Sequence, residues 1–241
     1  MSCTGASRTS DSREGNKENE LTEIIGKVLP VIEDGIMTPE VLYSFGRIGD
    51  VAVSPDKSRI LYQVTYVSIP HNRTNSELFV INSDGTEKKQ LTFTNTRESN
   101  PRWIHEGRKI AFLSNESGSS QLWTMNPDGG GMKQLSNEEG GIDGFLFSPD
   151  ETKVLFVKSV KTAADKYADL PMASGRVVDD LMYKHWDHWV ESVPHPFMAE
   201  LSGGKLANIK DLMEGEPYES PMTPFGGVEQ LAWVPRLKPP E

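Results

Sequence analysis

The chain has 241 residues and a formal net charge of −10, with 25 Lys and Arg against 35 Asp and Glu. This acidic balance argues against a nucleic-acid partner, because phosphate binding needs a basic face. The apolar runs are much shorter than the roughly 20 residues of a membrane span, and one cysteine cannot form an internal disulfide. The 16 prolines and 21 glycines are typical of a β protein with many turns.

Residues 1–20 are a polar leader whose composition cannot bury a core, and the sequence predicts disorder there. Cys3 precedes a Ser- and Asp-rich tract, which resembles the start of a mature bacterial lipoprotein with a lipid on the cysteine. On that interpretation the protein is exported and is periplasmic or anchored at the outer membrane. The alternative is a disordered leader with an incidental cysteine, since the apolar stretch of a lipoprotein precursor does not precede Cys3.

Residues 21–46 are predicted to be a lead segment that packs on the rest of the protein. Leu21–Leu29 fits either a short helical turn or an edge strand. A helix is predicted after it, with Thr38 as its N-cap, Pro39 at its first position and Gly46 at its end.

Two segments of the chain repeat each other at a constant offset of 44 positions. Ser76–Thr92 aligns with Ser120–Ser136, so that Leu78 matches Leu122. Each copy has an apolar strand, an Asn-x-Asp-Gly turn and a Gln-Leu-Thr or Gln-Leu-Ser end. A repeat of this length in β-forming residues is typical of a propeller blade of four short strands.

Further strands are predicted upstream of each copy. Arg59–Val64, Lys109–Ser114 and Lys153–Lys158 are apolar runs that begin with a basic residue. Ser-Pro-Asp precedes the first and the last run, and this sequence favours a tight hairpin because Pro presets φ and Asp bonds back to the backbone.

The sequence therefore predicts an all-β fold over residues 47–241, a partial β-propeller of about three and a fraction four-stranded blades. The first blade runs from about Ile48, the second from about Pro101, and the third starts near Gly141. A fourth is predicted to begin with a strand at Val228–Trp233. Three and a fraction blades leave two open edges, which indicates a piece of a longer polypeptide.

An insertion of about residues 159–194 interrupts the third blade, because the next predicted strand starts at His195. Long insertions in a compact scaffold are commonly functional loops. Read as a helix, the insertion places Tyr183, Trp186 and Trp189 in one aromatic stripe. Asp187 and Glu191 lie four apart on a neighbouring face. Alternatively, the stripe only anchors the insertion to the propeller and the acids are solvated.

The sequence gives little support for a metal, cofactor or catalytic site. His185, Asp187, His188 and His195 form a conceivable ligand group, but the first two histidines are three apart and no Glu-x-x-His motif accompanies them. The sequence has no Gly-x-Ser-x-Gly elbow, no Walker motif and no dinucleotide glycine pattern. We therefore expect no metal, no cofactor and no catalytic residue in this chain.

The repeat, with its Ser-Pro-Asp, Asn-x-Asp-Gly and Gln-Leu-Thr/Ser signatures, resembles the TolB-type β-propeller repeat. A more specific resemblance is to the N-terminal propeller of secreted bacterial dipeptidyl and acylaminoacyl peptidases of the prolyl oligopeptidase family. Three segments carry it, and they are Phe112–Trp123, Arg176–Trp189 and His195–Phe197. The similarity extends from about Met37 to Glu241.

In that family the propeller precedes an α/β-hydrolase domain with a Ser-Asp-His triad, limits access by size and helps to hold the amino terminus of the peptide. The resemblance implies that this chain is the substrate-gating part of a secreted serine exopeptidase that cleaves oligopeptides. It also implies that the chain is truncated before the catalytic domain and is inactive alone.

Some dipeptidyl peptidases bind the substrate ammonium with glutamates in an Asp-Trp-x-Tyr-Glu-Glu-like segment of the propeller. Trp186–Glu191 is similar in character, although it lacks the doubled glutamate. The resemblance implies Glu191 as the first candidate for this anchor and Asp187 as the second, with Trp186 and Trp189 shaping the pocket.

Two other functions fit the sequence. A non-catalytic TolB-like propeller would act as a protein-binding module, with a second copy completing the ring as a homo-oligomer. Alternatively, the open edge strands could pair with another chain by β-augmentation.

Overall fold

In the computed structural model, residues 24–161, 169–170, 172, 191–223 and 225–234 are described. This part of the chain has one α-helix and twelve strands. They are α1 (Pro39–Ser44), β1 (Arg47–Val53), β2 (Arg59–Ser68), β3 (Arg73–Asn82), β4 (Lys89–Gln90), β5 (Glu98–Ile104), β6 (Lys109–Ser114), β7 (Gln121–Met125), β8 (Lys133–Gln134), β9 (Gly144–Phe147), β10 (Lys153–Lys161), β11 (Ser192–Ser202) and β12 (Lys205–Asp211).

Four consecutive strands form each of three antiparallel sheets, in the orders β1-β2-β3-β4, β5-β6-β7-β8 and β9-β10-β11-β12. This confirms the predicted all-β partial propeller. The chain divides into two compact units, of which one contains Met1–Gly118 and Thr124–Met132 and the other contains Ser119–Trp123 and Lys133–Glu241. Among the described residues, no helix is both long and apolar enough to cross a membrane.

In the first unit, β5 packs against β1, β2 and β3 of the first sheet. Trp103 of β5 donates its indole N–H to the carbonyl of Ala52 at 3.0 Å. The guanidinium of Arg59 lies 4.8 Å from the centre of the same indole ring. Leu61 and Leu78, on adjacent strands of the first sheet, are fully buried.

The lead segment contacts the first sheet, although not entirely as predicted. Residues 24–30 form neither helix nor strand, and Ile25 is buried against an aromatic cluster of that sheet. Thr38 caps α1 as predicted, because its hydroxyl accepts from the backbone N–H of Val41 at 3.3 Å. Val41 is the buried residue of α1.

The predicted end of this helix at Gly46 is wrong. The helix ends at Ser44, and Phe45 already has extended backbone angles. Gly46 is instead required by close packing, since a Cβ there would lie 2.7 Å from Cγ1 of Val64.

The Ser-Pro-Asp turns form as predicted. Ser54 donates its hydroxyl to Asp56 Oδ1 at 2.5 Å, and Ser148 donates to Asp150 Oδ1 at 2.6 Å. These hydrogen bonds are the largest cause that lowers the pKa of both Asp56 and Asp150 to about 2. The two carboxylates are therefore ionised turn residues.

In the second unit, β10 and β11 are longer than the predicted strands. The strands pair up to Lys161 and Ser192, so the insertion covers residues 162–191 rather than about 159–194. Its predicted helix and the Tyr183, Trp186 and Trp189 stripe lie outside the described residues. Phe156 and Phe197 stack across the two strands, with ring centroids 5.5 Å apart.

The predicted fourth-blade strand does not form within the described residues. Val228–Gln230 is a short 3-10 helix, and residues 231–234 have no regular structure. Even so, Trp233 donates its indole N–H to the carbonyl of Leu146 at 3.3 Å. Leu146 precedes Phe-Ser-Pro-Asp just as Ala52 precedes Val-Ser-Pro-Asp, so this bond repeats the one from Trp103. This segment thus makes the tryptophan contact that begins a repeat, but it forms no paired strand. A strand there would need an extended partner to hydrogen-bond with it.

Candidate functional site

The insertion is joined to the third sheet by a two-stranded ribbon. β10 and β11 pair without irregularity from Lys153 to Lys161, but their outer neighbours stop earlier. β9 pairs with β10 only as far as Val157, and β12 pairs with β11 only as far as Phe197. The ends of β10 and β11 therefore extend beyond the sheet toward the insertion.

Of the predicted substrate-binding residues, the structure describes Glu191. It is exposed and directly precedes β11, at the end of the ribbon. Asp187, Trp186 and Trp189 lie outside the described residues, as does the predicted lipidation site Cys3. Whether Glu191 and these neighbours form one pocket stays a prediction.

An ion pair lies on the ribbon below Glu191. Lys158 Nζ is 2.8 Å from Glu138 Oε2, and the two side chains are 18% and 15% exposed. The same ammonium lies 5.4 Å from the centre of the Phe197 ring. Because both charges are largely removed from water, removal of one partner would leave the other unpaired in a poorly hydrated position.

His195 is the cross-strand partner of Lys158 and is only 2% exposed. Its Nδ1 is 2.9 Å from Asp211 Oδ2, and the other oxygen of Asp211 accepts from the backbone N–H of Met213 at 2.8 Å. His195 Nε2 is buried and has no hydrogen-bond partner among the residues that the structure describes. The residue therefore links β11 to the end of β12 through a single side-chain bond.

His195 is also a member of the conceivable metal-ligand group of the sequence. His195 is turned to Asp211, whereas His185, Asp187 and His188 lie outside the described residues. Within the described ranges, no three His, Cys, Asp or Glu side chains are grouped so that they could hold a metal ion.

A pair of buried acids lies in the first unit, and the sequence analysis missed it. Glu77 on β3 is 1% exposed and Glu98 on β5 is fully buried. Glu77 accepts from the hydroxyl of Thr92, and Glu98 accepts from Ser114 Oγ at 2.9 Å and from Thr94 Oγ1 at 2.8 Å.

Burial raises the pKa of Glu98 to about 7, opposed by the hydrogen bond from Thr94 and reinforced by the charge of Glu77. Burial also raises the pKa of Glu77, against hydrogen bonds from Thr92 and Asn75. Glu98 therefore takes up a proton near neutral pH, but the burial of both acids keeps them from a substrate. The available signal was the 44-residue offset, which aligns Glu77 with the isosteric Gln121.

Comparison with known proteins places these features in context. Residues 40–181 match the family model of the TolB beta propeller domain. The chain is 50% identical over 202 residues to dipeptidyl-peptidase 5 of Porphyromonas gingivalis, covering 83% of this chain and 30% of that protein. It is 40% identical over 206 residues to dipeptidyl-peptidase 5 of Porphyromonas endodontalis, covering 84% of this chain and again 30% of the relative.

Solved structures support the fold. Acylaminoacyl peptidase of Pyrococcus horikoshii superposes with a TM-score of 0.54 at 16% identity, over 70% of this chain and 25% of that chain. At this identity the likeness shows the fold alone. The chain spans about 30% of the length of the Porphyromonas relatives.

The family match covers more than half of the chain. The three four-stranded sheets of the chain have the architecture that this match predicts. The chain belongs to the TolB β-propeller domain family.

Proposed function

We propose that this chain is the substrate-gating and amino-terminus-binding propeller part of a secreted serine exopeptidase that acts on oligopeptides. The observation that supports the proposal most is the 50% identity to a dipeptidyl-peptidase over 83% of the chain. Because the match covers 30% of that relative, the catalytic groups would lie in a further part of the polypeptide. The chain by itself would bind and select peptides without cleaving them.

Glu191 is the proposed anchor for the free amino group of the substrate. It is exposed at the end of the ribbon that leads from the insertion, where a peptide could reach it. A carboxylate and an ammonium form a charge-assisted hydrogen bond, which is stronger than a neutral one. Asp187 would be the second acid of this site, and Trp186 and Trp189 would border it.

The first test is to sequence the source DNA beyond the codon for Glu241. A frame that continues into a Gly-x-Ser-x-Gly segment, with Asp and His downstream, supports the peptidase. A stop codon at that point contradicts it and favours a non-catalytic TolB-like module that binds another protein.

The second test is Glu191→Gln in the full-length protein that contains this chain, assayed on dipeptide substrates with a free amine. Loss of one charge-assisted bond should raise KM about 10-fold or more, with little change in kcat. Glu106→Gln is the matched control, since Glu106 is an exposed acid in the turn between β5 and β6. Equal KM values for both variants and the parent would contradict the role of Glu191.

Export and lipid anchoring through Cys3 are part of the same proposal. Metabolic labelling with a fatty acid in a bacterial host should label the full-length protein but not its Cys3→Ser variant. Equal labelling of both would contradict lipidation at this residue.

A further inference from the structure

One buried polar position occurs in all three repeats. In each repeat, the leucine that directly follows the outermost strand donates its backbone N–H to a carbonyl on the third strand. These bonds are Leu91 to Leu78 at 2.8 Å, Leu135 to Leu122 at 2.8 Å and Leu212 to Pro196 at 3.0 Å. The residue directly before each acceptor defines what we call the clasp position, and it is occupied by Glu77, Gln121 and His195. These three side chains are 1%, 1% and 2% exposed.

In the first two repeats, the clasp residue is bonded to the chain that leaves the outermost strand. An oxygen of the clasp side chain accepts from a hydroxyl two residues after that strand, and a clasp oxygen accepts from a backbone N–H two residues further on. The donors are Thr92 Oγ1 and Thr94 N for Glu77, and Ser136 Oγ and Glu138 N for Gln121. The same hydroxyls accept the backbone N–H groups of Leu78 and Leu122.

The third repeat is built differently at each of these points. Pro196 stands where the other repeats have leucine, and it has no N–H to satisfy. Met213 takes the place of the hydroxyl residue, so the clasp residue His195 bonds to the carboxylate of Asp211 instead. Within the described part of the chain, His195 Nε2 has no hydrogen-bond partner. A clasp of several bonds is thus reduced to one side-chain bond in the repeat that contains the insertion.

The location of this bond gives it a consequence for the ribbon. His195 lies on β11 between Phe197, where pairing with β12 ends, and Glu191, where the insertion ends. The backbone of this stretch of β11 accepts two further lateral bonds, from Leu212 N to Pro196 O at 3.0 Å and from Ser220 N to Pro194 O at 2.8 Å. The His195–Asp211 bond is the side-chain contact that, with these two backbone bonds, holds the end of β11 next to Glu191.

We propose that His195, acting through Asp211, is a positioning residue that fixes where Glu191 is presented to the amino terminus of a peptide substrate. The inference rests on the proposed function, because it concerns the same site. His195 is buried and does not touch the substrate, so its loss should change how tightly the free amine is held rather than the rate of bond cleavage.

The test uses the full-length protein and substrates with a free amine. His195→Leu should raise KM about 5-fold or more and leave kcat within 2-fold, because the ribbon loses its side-chain bond to β12 while the chemical step is untouched. His195→Asn should restore KM, since its amide nitrogen stands where imidazole Nδ1 donates to Asp211. Asp211→Ala should reproduce the KM of His195→Leu, and the double variant should add nothing more.

Ser136→Ala is the matched control, because it weakens the clasp of the second repeat, which has no insertion. It should lower the melting temperature without changing KM, whereas His195→Leu should change KM. If His195→Leu does not fold, Asp211→Ala carries the same comparison.

The outcomes separate this inference from the proposed function. If Glu191→Gln raises KM while His195→Leu and Asp211→Ala leave it within 2-fold, positioning by His195 is overturned and the proposed function stands. If Ser136→Ala raises KM as much as His195→Leu, the effect is general loosening and the inference is overturned. An unchanged KM in Glu191→Gln overturns the proposed function and this inference with it.

Discussion

The sheet face that carries Val51 is open to solvent in the first repeat, and the equivalent face is buried in the other two. Val51 and Phe145 occupy the same register position, opposite Tyr62 and Phe156 respectively, yet Val51 is 54% exposed and Phe145 is fully buried. Ile60 of the first repeat is half-buried, whereas the equivalent residue of the second repeat, Ile110, is fully buried. The residues are apolar in each case, so local sequence does not cause the difference.

The neighbouring sheet explains the difference. In the first unit, β5 and its Trp103 pack against the first sheet, and this contact closes the Ile110 face of the second sheet. On the first sheet, the lead segment covers part of the equivalent face through Ile25. The comparison shows that each repeat supplies an apolar face whose burial depends on the repeat beside it.

The largest expected difference in stability is between two isoleucine-to-alanine variants, one on the closed face and one on the open face. Ile110→Ala should destabilise the protein by about 2–5 kcal/mol, because it leaves a cavity in a fully buried site. Ile60→Ala, its counterpart on the open face, should cost less than half as much. Urea unfolding of both variants measures the difference, and equal losses would contradict the comparison.

A second prediction concerns pH and the buried acids at the junction of the first two sheets. The pKa of Glu98 is raised from 4.5 to about 7, so the native state holds a proton that the unfolded chain loses above its lower pKa. The stability from this group is therefore complete below about pH 4.5 and is lost as the pH rises through about 7. Its loss should amount to about 3 kcal/mol by pH 8.

Glu98→Gln should remove this part of the pH dependence and make the protein more stable at pH 8, as thermal unfolding at pH 5 and pH 8 would show. The reverse change at the clasp of the second repeat, Gln121→Glu, should add a pH dependence of the same sign, because that site is equally buried. A parent protein as stable at pH 8 as at pH 5, with no gain in Glu98→Gln, would refute the prediction.

The smallest effect is expected on the open face itself. Val51→Thr should change stability by less than about 0.5 kcal/mol, since the side chain is more than half exposed. Val154→Thr places the same hydroxyl in a fully buried site on the third sheet and should cost about 1–3 kcal/mol. Chemical denaturation of the pair tests this, and a cost at Val51 as large as that at Val154 would mean that the face is covered in solution.

Several elements followed from sequence patterns because their causes are local. The Ser-Pro-Asp turns, the cap at Thr38 and the alternating strands of the repeat depend on residues within a few positions of one another. The helix end at Gly46 was wrong because a contact with Val64, distant in sequence, determines that glycine. The prediction of a strand at Val228–Trp233 was wrong because a strand needs a hydrogen-bonded neighbouring strand as well as an apolar pattern.

The candidate site was predictable only in part. Glu191 came from resemblance; the structure shows it as an exposed residue at the end of the ribbon, and its role stays a prediction. The His195–Asp211 bond was not predicted, because sixteen residues and a hairpin separate the two residues in sequence. The aligned Glu77 and Gln121 could have indicated a buried polar position, but the offset itself does not reveal burial.

The sequence by itself determined the repeat, the strands and the turns of this protein, since hydrogen bonding within short segments and alternation of apolar residues specify them. Only the tertiary structure decided which sheet face is closed, which residue His195 bonds to and that burial raises the pKa of Glu98. Those properties depend on groups that approach through space and exclude water, and no local pattern encodes that approach.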